Sequence, residues 1–212
     1  MLKNECPLCK SNNCAQVHNI NNKEYFKCPV CDIYFVKPEY CLTGIEEVTR
    51  YLKHDNSPDD SGYKNFLNRI IIPMEKYIEP GMTGLDYGCG RIPVLSMMLR
   101  EKGYNMELYD KFFHTDKNIF EKRYDFIICS ETAEHFHHPL EEFISINKIL
   151  KPNGYLGIMT QMLDEREKFS DWYYHKDPTH VVFYSKKSME WLAIEFKLKI
   201  IQSKNNVVIF KR

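Results

Sequence analysis

The chain has 212 residues, enough for one ordinary domain of about 150 residues and a small appendage. Its 29 lysines and arginines balance 29 aspartates and glutamates, so no global basic field recommends nucleic acid and no acidic bias recommends a cationic partner. No stretch approaches the roughly 18 apolar residues of a membrane span, and the opening Met1-Leu2-Lys3-Asn4-Glu5 has no export-type apolar run; a soluble, cytoplasmic protein without a membrane partner is expected.

The chain opens with two near-identical knuckles, Cys6-Pro7-Leu8-Cys9 and Cys28-Pro29-Val30-Cys31. Four thiolates in two short pairs, about twenty residues apart, are what a closed tetrahedral zinc site requires. A disulfide framework is the rival reading, but it suits an exported protein and does not explain the knuckle spacing. A segment of about 40 residues buries too little apolar surface to fold unaided, so structural zinc held by Cys6, Cys9, Cys28 and Cys31 is expected to supply much of its stability. Residues 1–42 therefore read as a zinc ribbon, with Glu24-Tyr25-Phe26-Lys27 entering the second knuckle and Ile33-Tyr34-Phe35-Val36 leaving it. Cys14, Cys41, Cys89 and Cys129 show no paired spacing.

Residues 43–80 read as a helical linker or lid. Ile45, Val48, Tyr51 and Leu52 share one helical face over 45–53, and Tyr63, Phe66, Leu67, Ile70 and Ile71 share another over 61–79. The polar run from Asp55 to Gly62 between them predicts a hinge. From residue 81 to 212 strands and helices alternate, which predicts an α/β fold built on a mostly parallel sheet. Strands are expected at 83–87, 105–109, 125–129 and 154–160, and helices at 92–102 and 139–150, the second opened by Pro139. The unit between the second strand and Asp125 is too short for another strand and helix. A helix from Ser185 to about 195 is followed by apolar runs at 197–202 and 206–211, which suit an antiparallel terminal hairpin.

After the strand at 83–87 comes the acidic glycine turn Leu85-Asp86-Tyr87-Gly88-Cys89-Gly90. Glycines there let the backbone approach a bound cofactor and open the next helix beside it, which points to dinucleotide or S-adenosylmethionine chemistry. Taken in order with Tyr109-Asp110, Tyr124-Asp125-Phe126-Ile127-Ile128-Cys129-Ser130-Glu131 and Leu150-Lys151-Pro152-Asn153-Gly154-Tyr155-Leu156, the turn resembles class I S-adenosylmethionine-dependent methyltransferases with their Rossmann-like sheet. The likeness runs from about 81 to 210. It implies that Gly88 and Gly90 pack under the methionine moiety of S-adenosylmethionine, that Asp86 lies near its amino group, that Asp110 accepts from both ribose hydroxyls, and that Glu131 belongs to the cofactor site. Turn capping is the plainer reading of both aspartates. Where the family usually has a third glycine this chain has Ile92, which either narrows the site or shifts the start of the helix to Pro93.

Methyl transfer from a sulfonium is an in-line displacement dominated by positioning, with a proton to remove from a hydroxyl acceptor. That directs attention to Glu131-Thr132-Ala133-Glu134-His135 and Asp177-Pro178-Thr179-His180. In a helical turn Glu131, Glu134 and His135 would converge on one face. This pattern is similar to that of ubiquinone-pathway O-methyltransferases and small-RNA 2'-O-methyltransferases, which implies a second divalent cation (Mg, Mn, Zn or Fe) held by Glu131, Glu134, His135 and His180 beside the acceptor oxygens. Two other readings stay open: these side chains hydrogen-bond neighbouring loops, or His135 or His180 is a metal-free general base. Trp172, Tyr173, Tyr174, Phe183 and Tyr184 are either walls for a flat acceptor or plain packing.

The order of zinc ribbon, helical hinge and compact catalytic domain also resembles small bacterial methyltransferase-like proteins. O-methylation of a small hydroxyl-bearing acceptor is the favoured function. An RNA methyltransferase that docks substrate on the ribbon is the alternative, although Asp32 and Glu39 offset Lys27 and Lys37 there. A non-catalytic, zinc-dependent interaction module, its pocket closed by Ile92, is the third reading.

Overall fold

In the computed structural model, which describes residues 5–53, 56–164 and 168–212, the amino-terminal segment is a three-stranded ribbon. Met1–Asn4 and Asp55, the start of the expected hinge, lie outside the described residues. β1 (Ala15–Ile20) and β2 (Lys23–Lys27) form a hairpin that turns on Asn21 and Asn22, both with positive φ (52° and 62°). Asparagine tolerates that conformation better than most side chains, which favours a tight two-residue turn. β3 (Tyr34–Val36) pairs antiparallel with β2. α1 (Gly44–Tyr51) starts at a reciprocal cap, in which Thr43 accepts from the Glu46 amide and the Glu46 carboxylate accepts from the Thr43 amide.

α2 (Ser61–Met74) is capped by Asp60, whose carboxylate accepts from the amides of Gly62 and Tyr63. It stops short of the expected residue 79, ending at Met74 with Pro73 in its last turn, and residues 75–77 continue as a turn. Leu67, Ile70, Ile71 and Met74 are buried against one face of the main sheet, so α2 is a core helix. Each such side chain contributes roughly 1.5–3 kcal/mol of burial.

The main sheet comprises β4 (Thr83–Tyr87), β5 (Asn105–Tyr109), β6 (Tyr124–Ser130), β7 (Leu150–Met159), β10 (Lys199–Lys204) and β11 (Val207–Lys211) in the order β10-β11-β7-β6-β4-β5. The four strands β7, β6, β4 and β5 run parallel, and β11 and β10 close the sheet as the antiparallel terminal hairpin, turning on Asn205-Asn206. α3 (Val94–Glu101) and α4 (Pro139–Ile149) are its crossover helices, and only a short 3-10 turn at Lys117–Glu121 lies between β5 and β6, the abbreviated unit expected from the sequence. Pro152-Asn153-Gly154, expected ahead of the fourth parallel strand, instead form a bulge inside β7: the partners step from Leu150 to Tyr155 while β6 advances only from Tyr124 to Phe126. The chain leaves β4 for α3 on one side and enters β6 on the other, which opens a crevice at the carboxyl ends of these strands.

Two strands from the carboxyl-terminal part of the chain stand outside the main sheet. β8 (Met162–Leu163) and β9 (Val182–Ser185) pair parallel with each other, and β9 pairs antiparallel with β3 through Tyr34–Phe183 and Phe35–Val182. The ribbon sheet is thus five-stranded, β1-β2-β3-β9-β8, and α5 (Lys186–Glu195) follows β9 directly from its Ser185 cap. Among the described residues no helix is long and apolar enough to cross a membrane.

Candidate functional site

A cavity of about 550 Å³ lies at the carboxyl ends of β4, β5 and β6, lined among others by Gly88, Gly90, Asp110, Glu131, His135 and His180. The two turn glycines differ in what they permit. Both have positive φ (84° at Gly88, 67° at Gly90), but a Cβ at Gly88 would meet the Thr132 side chain at 2.1 Å, whereas a Cβ at Gly90 meets nothing within 4 Å. Gly88 lets β4 and the loop after β6 touch; Gly90 leaves open space in the cavity wall.

Asp110 closes β5 and lines the cavity. Its Oδ2 accepts from the Gly90 amide (3.1 Å) and its Oδ1 from the amides of Phe112 (2.8 Å) and Phe113 (3.0 Å). Capping and lining therefore coexist in one side chain. Asp86, expected beside the cofactor's amino group, does not line the cavity: it is 2% exposed and accepts from Ser96 Oγ of α3 at 2.9 Å. Burial pushes its carboxyl up to about 7, with Ser96 opposing. Ile92 lines the cavity, and α3 begins at Val94 after Pro93, so the departure at the third glycine position changes both the wall and the helix start.

Beyond β6, Glu131 adopts a left-handed φ of 47°, and a short 3-10 turn at Ala133–His135 follows. The expected helical turn starting at Glu131 does not form, and this decides which side chains meet. One donor atom each from Glu134, His135 and His180 lie within 4.8 Å of one another; Glu131 lines the cavity outside that trio, its carboxyl pushed up to about 8 by burial and by the neighbouring Glu134. Glu134 is fully buried, and its carboxylate accepts from Tyr174 Oη and from Thr160 Oγ1 (2.9 Å). Burial raises its pKa, against the pull of His180 and these donors.

His135 places Nδ1 3.0 Å from the carbonyl oxygen of Thr179, and His180 places Nδ1 2.7 Å from that of Tyr174. A carbonyl only accepts, so both Nδ1 atoms carry the proton and both Nε2 atoms keep a lone pair. Burial lowers the pKa of His135 to about 4; burial and then the adjacent His135 lower that of His180. Two neutral imidazoles oriented by backbone carbonyls beside a buried carboxylate are groups that could hold a divalent cation.

α1 covers this end of the cavity. The Tyr51 ring packs edge-on against His135 at 5.5 Å and tilted against Phe112 at 6.0 Å. Glu47, 2% exposed, receives Lys111 Nζ at 3.1 and 2.9 Å and lies 3.4 Å from His137 Nε2; Arg50 reaches Asp177 at 2.8 Å. Burial pushes the Asp177 carboxyl up, but Arg50 and Thr179 outweigh it and hold it well below the usual range. Glu47, Lys111 and Thr160 are the site residues the sequence did not reveal, whereas Tyr174, which the sequence offers as an acceptor wall or plain packing, donates to Glu134. The only available signal was Glu47 lying next to the apolar face of an amphipathic helix.

At the other end of the ribbon the two knuckles are geometric copies. Lys10 and Asp32, each following a second cysteine, have φ of 59° and 60°; the Lys10 amide donates to the Cys6 carbonyl at 3.0 Å and the Asp32 amide to the Cys28 carbonyl at 3.1 Å. Cys6 and Cys31 sulfurs lie 3.4 Å apart, as do those of Cys9 and Cys28. A tetrahedron with metal–sulfur bonds of about 2.3 Å has edges of about 3.8 Å, so the four thiols fit a zinc ion with a small outward adjustment. Cys14, though buried, is outside the set of four.

Residues 60–203 match the model of a family described as methyltransferase domain. The structure is similar to that of a 1,6-didemethyltoxoflavin-N1-methyltransferase from Burkholderia thailandensis, solved with 1,6-didemethyltoxoflavin and S-adenosylhomocysteine (TM-score 0.56, 12% identity, covering 93% of this chain and 98% of that one). It is also similar to a SAM-dependent methyltransferase from Archaeoglobus fulgidus (0.56, 15%, 78% and 99%) and to an O-methyltransferase family protein from Burkholderia thailandensis (0.53, 15%, 78% and 62%). At such identities these are likenesses of fold. No curated protein matches the sequence.

Proposed function

The chain belongs to the methyltransferase-domain family, and on that premise we propose that it methylates an oxygen of a small hydroxyl-bearing acceptor, using S-adenosylmethionine and a divalent cation held by Glu134, His135 and His180. The observation that carries the reading is the pair of anchored imidazoles: each places Nδ1 against a backbone carbonyl, and both rings cluster with the buried Glu134 carboxylate in the lining of the cavity. The sulfonium supplies the methyl group, and the cation supplies acidification and orientation of the acceptor hydroxyl.

The chain's own residues do the positioning. Gly90 leaves room for close backbone approach of the donor, and Asp110 receives a ribose hydroxyl. A carboxylate offers about four lone-pair positions. Three are taken by the Gly90, Phe112 and Phe113 amides, so Asp110 has one left and accepts from one hydroxyl rather than two. Tyr174 and Thr160 hold Glu134 in place, and α1, tied down by Glu47 and Arg50, excludes water from the reacting end. That cover favours a small acceptor over a polymer. Among the described residues of the ribbon Lys10 is paired with Glu5 and Glu141, Lys27 with Asp32 and Lys37 with Glu24, which counts against a basic stripe for RNA.

Calorimetric titration with S-adenosylhomocysteine, with and without Mn²⁺, tests the proposal on the zinc-loaded protein and on His135→Ala. The expected result is cofactor binding by both proteins and a second metal equivalent taken up only by the parent. Equal metal uptake by His135→Ala would remove the cation from the reading, and absence of cofactor binding would remove the enzyme.

A further inference from the structure

Residues 181–185 stand at a junction. The peptide of Val181 is bonded on both sides: its amide donates to the Glu134 carbonyl at 2.9 Å, and its carbonyl accepts from the Val36 amide of the ribbon at 3.0 Å. His180 immediately precedes it. Further along β9, Tyr184 Oη donates to the Ala133 carbonyl at 3.1 Å, within the 3-10 turn that carries Glu134 and His135, and Ser185 Oγ donates to Asp32 Oδ2 of the second knuckle at 2.6 Å. A second route runs through Tyr25 of β2. Its hydroxyl donates to the His175 carbonyl at 3.4 Å and its ring packs on Phe169, His175 and Phe183, which supports the 3-10 turn bearing Tyr174. Tyr174 in turn orients His180 through its carbonyl and Glu134 through its hydroxyl.

β9 has four residues, takes no part in the main sheet, and among the described residues has besides β3 only the two-residue β8 as a strand partner. A two-stranded pair of that length is not stable in water by itself. The cofactor end of the cavity is secured differently: the Gly88 and Cys89 amides donate to the Tyr109 carbonyl, and Asp110 holds Gly90, all within the main sheet and its loops.

We propose that the amino-terminal ribbon is the positioning element of the Glu134–His135–His180 cluster, with β3 serving as the template on which residues 181–185 become a strand. The four-thiolate knuckles set β3, β3 sets β9, and β9 with the Tyr174 turn sets His180 against Glu134. The ribbon thereby acts on the acceptor side of the cavity and not on the glycine turn. The inference rests on the reading of this trio as the reaction site only for the purpose of the positioning; the positioning itself is independent of a methyl donor and of any cation at Glu134, His135 and His180.

The test is the tautomer of His180 in long-range ¹H–¹⁵N spectra of the zinc-loaded protein, with the Leu85 and Ile127 amides as reporters of the main sheet. Val36→Pro deletes the single amide that reaches Val181; Val36→Ala keeps it. The expected result is a fixed Nδ1-protonated His180 in the parent and Val36→Ala, and a tautomer-averaged ring in Val36→Pro with the Leu85 and Ile127 shifts unchanged. Asp32→Gly, which suits the left-handed φ at that position and removes the Ser185 tie, provides a second variant should Val36→Pro fail to fold. It is expected to loosen His180 in the same way. An unchanged His180 tautomer in a folded Val36→Pro or Asp32→Gly, or loss of the main-sheet signals together with His180 in both, would overturn the proposal. Failure of the parent to bind S-adenosylhomocysteine would strike the proposed reaction and leave this result readable.

Discussion

Replacing Glu47 by glutamine tests whether α1 is held over the site by charge. The carboxylate accepts two bonds from Lys111, at 3.1 and 2.9 Å, and lies 3.4 Å from His137 Nε2. Its side chain is 3% exposed while that of Lys111 is 43% exposed, so in the variant the lysine can turn to water and only the glutamate side of the pair is penalised. Charge-assisted bonds contribute about 1.5–3 kcal/mol and exposure of one partner lowers that, which leaves about 2 kcal/mol for docking of α1. At about 1.4 kcal/mol per factor of ten, the undocked population rises about 30-fold. Amide hydrogen exchange reads this directly: Val48 and Tyr51 are expected to exchange about 30-fold faster in Glu47→Gln, and Leu85 and Ile127 at unchanged rates. The same latch carries a pH signature. Burial raises the Glu47 pKa, but His137 and Lys111 outweigh it and bring it below 4.5, so its contribution is complete above the unfolded value and is lost as pH falls through the folded one. No change at Val48 and Tyr51, or an equal acceleration in the main sheet, would refute the reasoning.

Gly88→Ala and Gly90→Ala should separate stability from binding. The first drives a Cβ into Thr132 in a left-handed backbone and is expected to lower chemical-denaturation stability by about 2 kcal/mol or more; the second carries only the left-handed cost of about 1–2 kcal/mol, and its larger effect is expected on calorimetric S-adenosylhomocysteine affinity. Asp86 is raised by burial from 3.8 to about 7, so the native state holds its proton longer than the unfolded one and stability falls as pH rises between those values. Asp86→Asn should flatten that slope in denaturation curves taken across the window. Stripping the four-thiolate site with a strong chelator is expected to expose Trp172, which is 6% exposed and packs on Phe183 of β9, and so to red-shift its fluorescence.

The parts legible in the sequence are those whose physics is local. The paired cysteine knuckles are read from their spacing along a few residues, and the structure brings their four thiols together with repeated left-handed turns at Lys10 and Asp32. β4 and β6 follow from apolar runs and the glycine turn, because a buried parallel strand needs the same residue types whatever its neighbours, and the carboxylate closing the edge strand β5 follows from its distance beyond that turn. The terminal hairpin is announced by its Asn-Asn turn.

Only the tertiary structure decided that β3 finds its partner in β9, since a backbone amide carries no mark of the distant carbonyl it will meet. It decided that Asp86 faces Ser96 rather than the cavity, and that Glu131 stands outside the trio because the chain turns left-handed there instead of starting a helix. Glu47 belongs to the same class. On the helix it is one more polar residue, and only the arrival of Lys111 and His137 from another part of the chain makes burying its charge tolerable.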